Sequence, residues 1–171
     1  MLEIKEIKIG GEKIEQCKLA EMKVIPSHPF RTYIIGASGS GKTNLLLNLL
    51  TRDGYYKDYF DRVFVISPTA LNLDKSYQEL EKKTKYENGK NLFYFDCDTE
   101  VLKSILDLQE EEKKQNKVLV IMDDVASYTK FCRSPELLKF SVMSRHYNCS
   151  CFLLSQAFHL IYNQLDLICL V

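Results

Sequence analysis

Gly36-Ala37-Ser38-Gly39-Ser40-Gly41-Lys42-Thr43 fits the pattern G-x-x-x-x-G-K-[ST], a loop built to hold phosphate. Each residue type has a physical task there. Glycine lets the backbone curl with its N–H groups inward, where a Cβ would obstruct the anion. The helix that follows turns its positive N-terminal end to the same charge. Lys42 is placed to reach the β- and γ-phosphates of a nucleoside triphosphate, and the Thr43 hydroxyl to complete a Mg2+ shell. The flanks agree. Arg31-Thr32-Tyr33-Ile34-Ile35 reads as a short buried strand, and Asn44 to Leu50 as a helix. A glycine-rich turn with a chance GKT would not need both.

Working outward, Pro26-Ser27-His28-Pro29 makes an extended approach to that first strand. Residues 2–14, alternating around Gly10-Gly11, read as a small β-hairpin. We therefore expect an N-terminal extension over 1–25 and a core over 26–171. On the other side, Tyr55, Tyr56, Tyr59 and Phe60 offer either base stacking or, the better reading, aromatic packing at the edge of the sheet. Arg62 to Ile66 is a second strand. Residues 70–90 carry a Lys- and Glu-rich helix, read as a solvated face. Asn91 to Phe95 is a third strand, and 99–109 an amphipathic helix that ends in the exposed run 110–114.

The second landmark is Lys117-Val118-Leu119-Val120-Ile121-Met122-Asp123-Asp124, an apolar strand delivering two carboxylates at its C-terminal end, the Walker B pattern. Open α/β sheets bind ligands at that end. Asp123 is expected to hold Mg2+ through water, and Asp124 to orient and activate the attacking water. The plainer alternative for Asp124 is a helix N-cap ahead of Val125-Ala126-Ser127. Residues 134–146 read as a helix and Ser150 to Leu154 as a strand running into Ser155-Gln156. An amide at that point can touch the γ-phosphate or the water without adding charge, although Gln156 could equally cap the next helix. Two strands and two helices lie between the phosphate loop and the acidic pair. That order fits an α/β three-layer sandwich of the ASCE, RecA-like P-loop type, with a mainly parallel sheet and a further strand between the two motifs. Leu167 to Val171 reads as a last strand on which the chain stops, so a truncated core is expected.

Composition sets limits on partners. With 23 basic and 23 acidic side chains the net charge is zero, so no global basic signature marks a nucleic-acid binder, although a ring-shaped motor needs only a few basic residues facing its channel. No apolar run approaches the roughly 20 residues that span a bilayer, and no membrane partner is expected. The six cysteines form no C-x-x-C pair or zinc-type spacing, and Cys149 and Cys151 alternate onto one face of a strand as core residues.

Several stretches together resemble viral DNA-packaging ATPases of the FtsK/HerA superfamily, of the nucleocytoplasmic large DNA virus and virophage type. They are His28-Pro29-Phe30-Arg31, the phosphate loop with its helix, Val65 to Thr69, Val120 to Asp124, Ser144-Arg145-His146-Tyr147-Asn148 and Phe152 to Gln156. The resemblance covers roughly residues 24–160. It implies an ATP- and Mg2+-dependent motor assembled as a homo-oligomeric ring, acting on double-stranded DNA and on capsid or portal components, in the host cytoplasm or the virion. It also implies an arginine supplied by a neighbouring subunit, for which Arg145 is the first candidate and Arg133 the second. Two departures stand out. The acidic pair is Asp-Asp where many such ATPases carry Asp-Glu, and the portion such proteins often carry beyond the core is missing. A non-viral FtsK/HerA-like translocase or repair ATPase is the alternative. A GTPase fits poorly, because Asn163-Gln164-Leu165-Asp166 lacks the lysine of N-K-x-D.

Overall fold

Five short apolar segments form one sheet: β1 (Arg31–Ile35), β2 (Arg62–Ile66), β3 (Leu92–Phe95), β4 (Val118–Asp123) and β5 (Cys149–Ser155). They stand in the order β1-β5-β4-β2-β3, and every pairing is parallel. This is a computed structural model, and it describes residues 14–68, 75–83 and 92–156. The helices are α1 (Lys18–Glu21), α2 (Lys42–Thr51), α3 (Lys75–Lys83), α4 (Thr99–Glu111), α5 (Thr129–Cys132) and α6 (Pro135–Met143).

A parallel sheet must be covered on both faces, and the strands show it by alternation. Tyr33, Phe64, Ile66, Val118, Val120, Met122, Cys149, Cys151 and Leu153 join one core with α4 and α6. Ile34, Val63, Val65, Leu119, Ile121, Phe152 and Leu154 join the other, under α2 and α3. Each helix brings the stripe its period dictates: Leu46 and Leu50 on α2, Leu102, Ile105 and Leu106 on α4, Leu137 and Phe140 on α6. Local signals fix where they begin. Asp98 accepts from the Glu100 amide at 3.0 Å, and Ser134 accepts from Leu137 with Pro135 in the first turn. The three-layer expectation and the further strand between the two motifs both stand, the latter being β5.

Boundaries moved in instructive ways. The helix expected to reach residue 146 stops at Met143 and tightens into a 3-10 turn over Ser144–Tyr147, because Asn148 turns left-handed (φ 55) to launch β5. The run 110–114, read as exposed, contains Glu112, which holds Arg62 with two bonds of 2.5 and 2.7 Å and ties α4 to β2. Tyr56, Tyr59 and Phe60 are core residues around Phe30 and Phe152, so packing rather than base stacking accounts for them; Tyr55 stays half-exposed. The Cys149 and Cys151 thiols share a face, and burial pushes each up to about 12, as suits inert core residues. The expected N-terminal hairpin, most of the remainder of the 70–90 helix and the last strand lie outside the described residues.

The chain is locked at the N-terminal edge of the sheet by a directed chain of hydrogen bonds. Asn148 spends its amide hydrogens on the carbonyls of Lys114 and Asn116, at 3.2 and 3.0 Å, which turns its oxygen toward His28. His28 Nε2 therefore donates to Asn148 Oδ1 (2.7 Å), leaving Nδ1 to accept from the Ser150 hydroxyl (2.6 Å), whose oxygen takes the Phe30 N–H (3.1 Å). A neutral imidazole satisfies every member, and a cation cannot. Burial lowers the His28 pKa to about 4, with Lys117 pushing the same way and Asn148 and Asp61 opposing. Between pH 6.5 and 4 the unfolded chain binds a proton that the folded chain refuses. The contribution, about 3 kcal/mol, is complete above pH 6.5 and is lost as pH falls to 4. Urea unfolding at pH 7 and pH 4.5 should show most of that loss, and a His28→Gln variant should be weaker at pH 7 but lose less on acidification.

Candidate functional site

The phosphate loop leaves β1 after Ile35 and is pinned at once, the Gly36 amide donating to Ser155 O at 3.2 Å on the adjacent β5. It folds back so tightly that a Cβ on Gly36 would stand 2.5 Å from Ser40 Oγ. At its far end Gly41 adopts φ 91, a left-handed conformation, and α2 begins on the next residue. The first-turn N–H groups of α2, which have no partner inside the helix, thus face the hollow of the loop. Lys42 Nζ lies inside it, donating to the carbonyls of Gly36 (3.0 Å) and Ala37 (3.1 Å). Ala37, Ser38, Gly39, Ser40 and Gly41 are exposed, and Thr43 is half-buried beside Lys42 in the first turn.

The register brings the acidic pair to the same edge. Ile35 pairs with Ser155, and Leu154 with Asp123, so β5 alone separates the loop strand from the acidic strand, two strand spacings of about 10 Å. Asp123 is the last residue of β4 and is buried. Its Oδ2 accepts from the Tyr77 hydroxyl of α3 at 2.9 Å. The sequence had offered α3 as a solvated face, yet Tyr77 and Leu80 are both buried under it. An aromatic and a leucine three apart in an otherwise charged helix were the signal of that inward face.

Asp124 leaves the strand in the left-handed region (φ 53, ψ 23), which aspartate tolerates better than most residues. It stands where a cap would stand for the 3-10 turn Val125–Ser127, but its side chain makes no capping bond, and it is exposed. Gln156 directly follows β5, exposed, next to the Gly36 anchor. These groups, Lys42, Thr43, Asp123, Asp124 and Gln156, gather along one edge. Arg133, exposed at the end of α5, stays on the side from which β4 emerges. Arg145 does not join them. It is exposed in the 3-10 turn before β5, at the opposite edge of the sheet.

The donor set suits Mg2+: one hydroxyl and one carboxylate, both hard oxygens, as expected where phosphates and water supply the remaining ligands. Among the described residues no group of three or more His, Cys, Asp or Glu side chains could hold a metal by itself. Nor is any helix among them long and apolar enough to cross a membrane.

The family model described as Poxvirus A32 protein matches residues 18–167, nearly the whole chain. The chain belongs to the poxvirus A32 family. The DNA packaging protein OPG160 of Variola virus is 32% identical to this A32-family chain over 139 residues, covering 76% of it and 47% of that protein. The chain thus spans about half the length of the curated relatives it matches. Among solved structures, the DNA-packaging ATPase B204 from Sulfolobus Turreted Icosahedral Virus superposes with a TM-score of 0.56 at 17% identity, over 81% of this chain and 73% of its own. The genome-packaging NTPase B204 from Sulfolobus turreted icosahedral virus 2, in complex with ATP-gammaS, gives 0.50 at 14% identity, over 80% and 71%. At such identities the likeness is one of fold. The five-stranded parallel sheet of the A32-family chain resembles that of the packaging ATPase it superposes on.

Proposed function

We propose that this chain is the ATP-hydrolysing core of a viral motor that packages double-stranded DNA. The observation that carries the reading is the convergence, across the single strand β5, of a phosphate loop and an acidic pair in a chain of this family.

In this reading water attacks the γ-phosphorus in line, the bond to the β–γ bridging oxygen breaks, and ADP and phosphate leave. Asp124 accepts the water's proton as the nucleophile forms. Lys42 and the loop amides take up the charge that grows on the γ-oxygens. Gln156 holds the water or a γ-oxygen by a neutral hydrogen bond. Thr43 and Asp123 would hold Mg2+, which when bound neutralises the β- and γ-phosphate oxygens. An arginine from a neighbouring subunit of a ring completes the site, the role offered to Arg145 and Arg133. Tyr77 orients the Asp123 carboxylate. Tyr77→Phe keeps the ring and should raise the Mg2+ concentration for half-maximal turnover roughly 10-fold, with metal-free nucleotide binding unchanged. An unaltered Mg2+ dependence would remove Tyr77 from the site.

ATP turnover of the purified chain, with and without duplex DNA and across protein concentration, tests the whole. Turnover stimulated by DNA and rising steeply with protein supports an assembling motor. Turnover indifferent to both leaves an ATPase and rejects the translocase.

A further inference from the structure

One strongly charged part of the molecule is left unused by this chemistry. At the N-terminal edge of the sheet, opposite the phosphate loop, an open cleft of about 530 Å3 is lined by Lys113, Lys114, Lys117, Arg145, His146 and Asn148, and none of its lining residues is acidic. In a chain whose net charge is zero, four fixed cations stand around one concavity.

The cleft is built, not incidental. Lys113 and Lys114 both take left-handed backbone, with φ 54 and 59, so the chain reverses sharply after α4. Asn148 holds the carbonyls of Lys114 and Asn116, and Gln109 Nε2 bridges Asn116 O (2.8 Å) and Tyr147 O (2.7 Å). The lysine loop is thereby tied to the turn that carries Arg145 and His146. Two lysines are steadied over aromatic rings, Lys114 over Tyr147 and Lys117 over Tyr59, each 4.5 Å from the centroid. Three of the acidic groups nearby are engaged: Glu110 pairs with Lys114 at 3.1 Å, Asp61 accepts the Lys117 amide at 2.7 Å, and Glu112 holds Arg62. Lys113, Arg145 and His146 enter no ion pair among the described residues.

We propose that this cleft grips the phosphodiester backbone of duplex DNA. The cleft is open and draws its cations from two segments, 113–117 and the turn at Arg145, which suits several phosphates along a polyanion better than a single small anion. Lysine is a point charge that holds phosphate without reading bases, as a protein moving along any sequence requires. The inference rests on the packaging function proposed above.

Binding of a 20-base-pair duplex, measured by fluorescence anisotropy across salt concentration, tests it. The variant is Lys113→Asn with Lys114→Asn, since asparagine accepts the left-handed backbone of both positions. Arg145 is spared because a neighbour's active site has a claim on it. The charge-matched control is Lys82→Gln with Lys83→Gln, exposed on α3. The expected result is that the Asn pair lowers the slope of log K against log salt by about 2 and weakens binding roughly 50-fold near 0.1 M salt, while the Gln pair does neither. A wild-type slope in the Asn pair, or an equal loss in the Gln pair, overturns the site. Displacement of the duplex by inorganic pyrophosphate from wild type and Asn pair alike overturns it as well, by marking the contact as a small-anion site. A wild-type chain that fails to bind duplex DNA at low salt overturns the packaging reading itself.

Discussion

Replacing Lys42 by alanine is expected to lower ATP turnover roughly 10^3-fold, to the limit of detection, and to weaken nucleotide binding. The ammonium is held in the loop by the Gly36 and Ala37 carbonyls at 3.0 and 3.1 Å, so no search of side-chain conformations precedes its meeting with phosphate. Alanine removes that charge and nothing the fold relies on. Lys42 is half-buried, the start of α2 is set by Gly41, and alanine is the best helix former. The thermal midpoint should therefore stay within a few degrees while turnover disappears. A Lys42→Ala chain that hydrolyses ATP at the native rate would mean that the loop is not where phosphate binds.

Asp124→Asn should separate binding from chemistry. Asparagine matches aspartate in size and in tolerance of the left-handed backbone seen here (φ 53), so the substitution removes the charge and leaves the geometry. Turnover is expected to fall about 10^2- to 10^4-fold with ATP affinity within about 2-fold of native. Alanine would confound the result by placing a less tolerant residue at that φ. The same backbone gives a physical reason for an Asp-Asp pair here: the short side chain suits the left-handed turn. Asp124→Glu should not improve turnover, despite its longer reach. If Asp124→Asn hydrolyses at the native rate, the water is activated by something else.

The sequence was most legible where local chemistry and tertiary position coincide. The loop glycines, the strand at Arg31–Ile35 and the apolar run ending in Asp123 are fixed by backbone geometry and two-sided burial, and all appear where expected. What escaped was set by contacts distant in sequence. Tyr77 reaches Asp123 across 46 positions, and His28 reaches Ser150 across 122, neither of which leaves a periodic trace. His28 and Asn148 lie in two of the stretches most characteristic of the resemblance, and their work in this chain is to lock the sheet's N-terminal edge. Arg145 stands apart from the groups its own chain gathers at the phosphate loop. The resemblance offered it to a neighbouring subunit's site, and the turn before β5 puts it at the other edge of its own sheet, because a parallel strand begins where the preceding one began.

The interior strand β5 gives these two edges a mechanical relation. It starts at the lysine cleft, ends beside the phosphate loop, and is buried over its full length with hydrogen-bonded neighbours on both sides. Such a strand cannot creep. Its smallest slip that keeps each side chain on its own face is two residues, about 6.6 Å, with every ladder bond broken on the way. The sheet therefore behaves as a stiff beam between its ends. In the proposed ring, a stroke that begins at the phosphate edge would reach the cleft as movement of the whole body, at nearly constant separation.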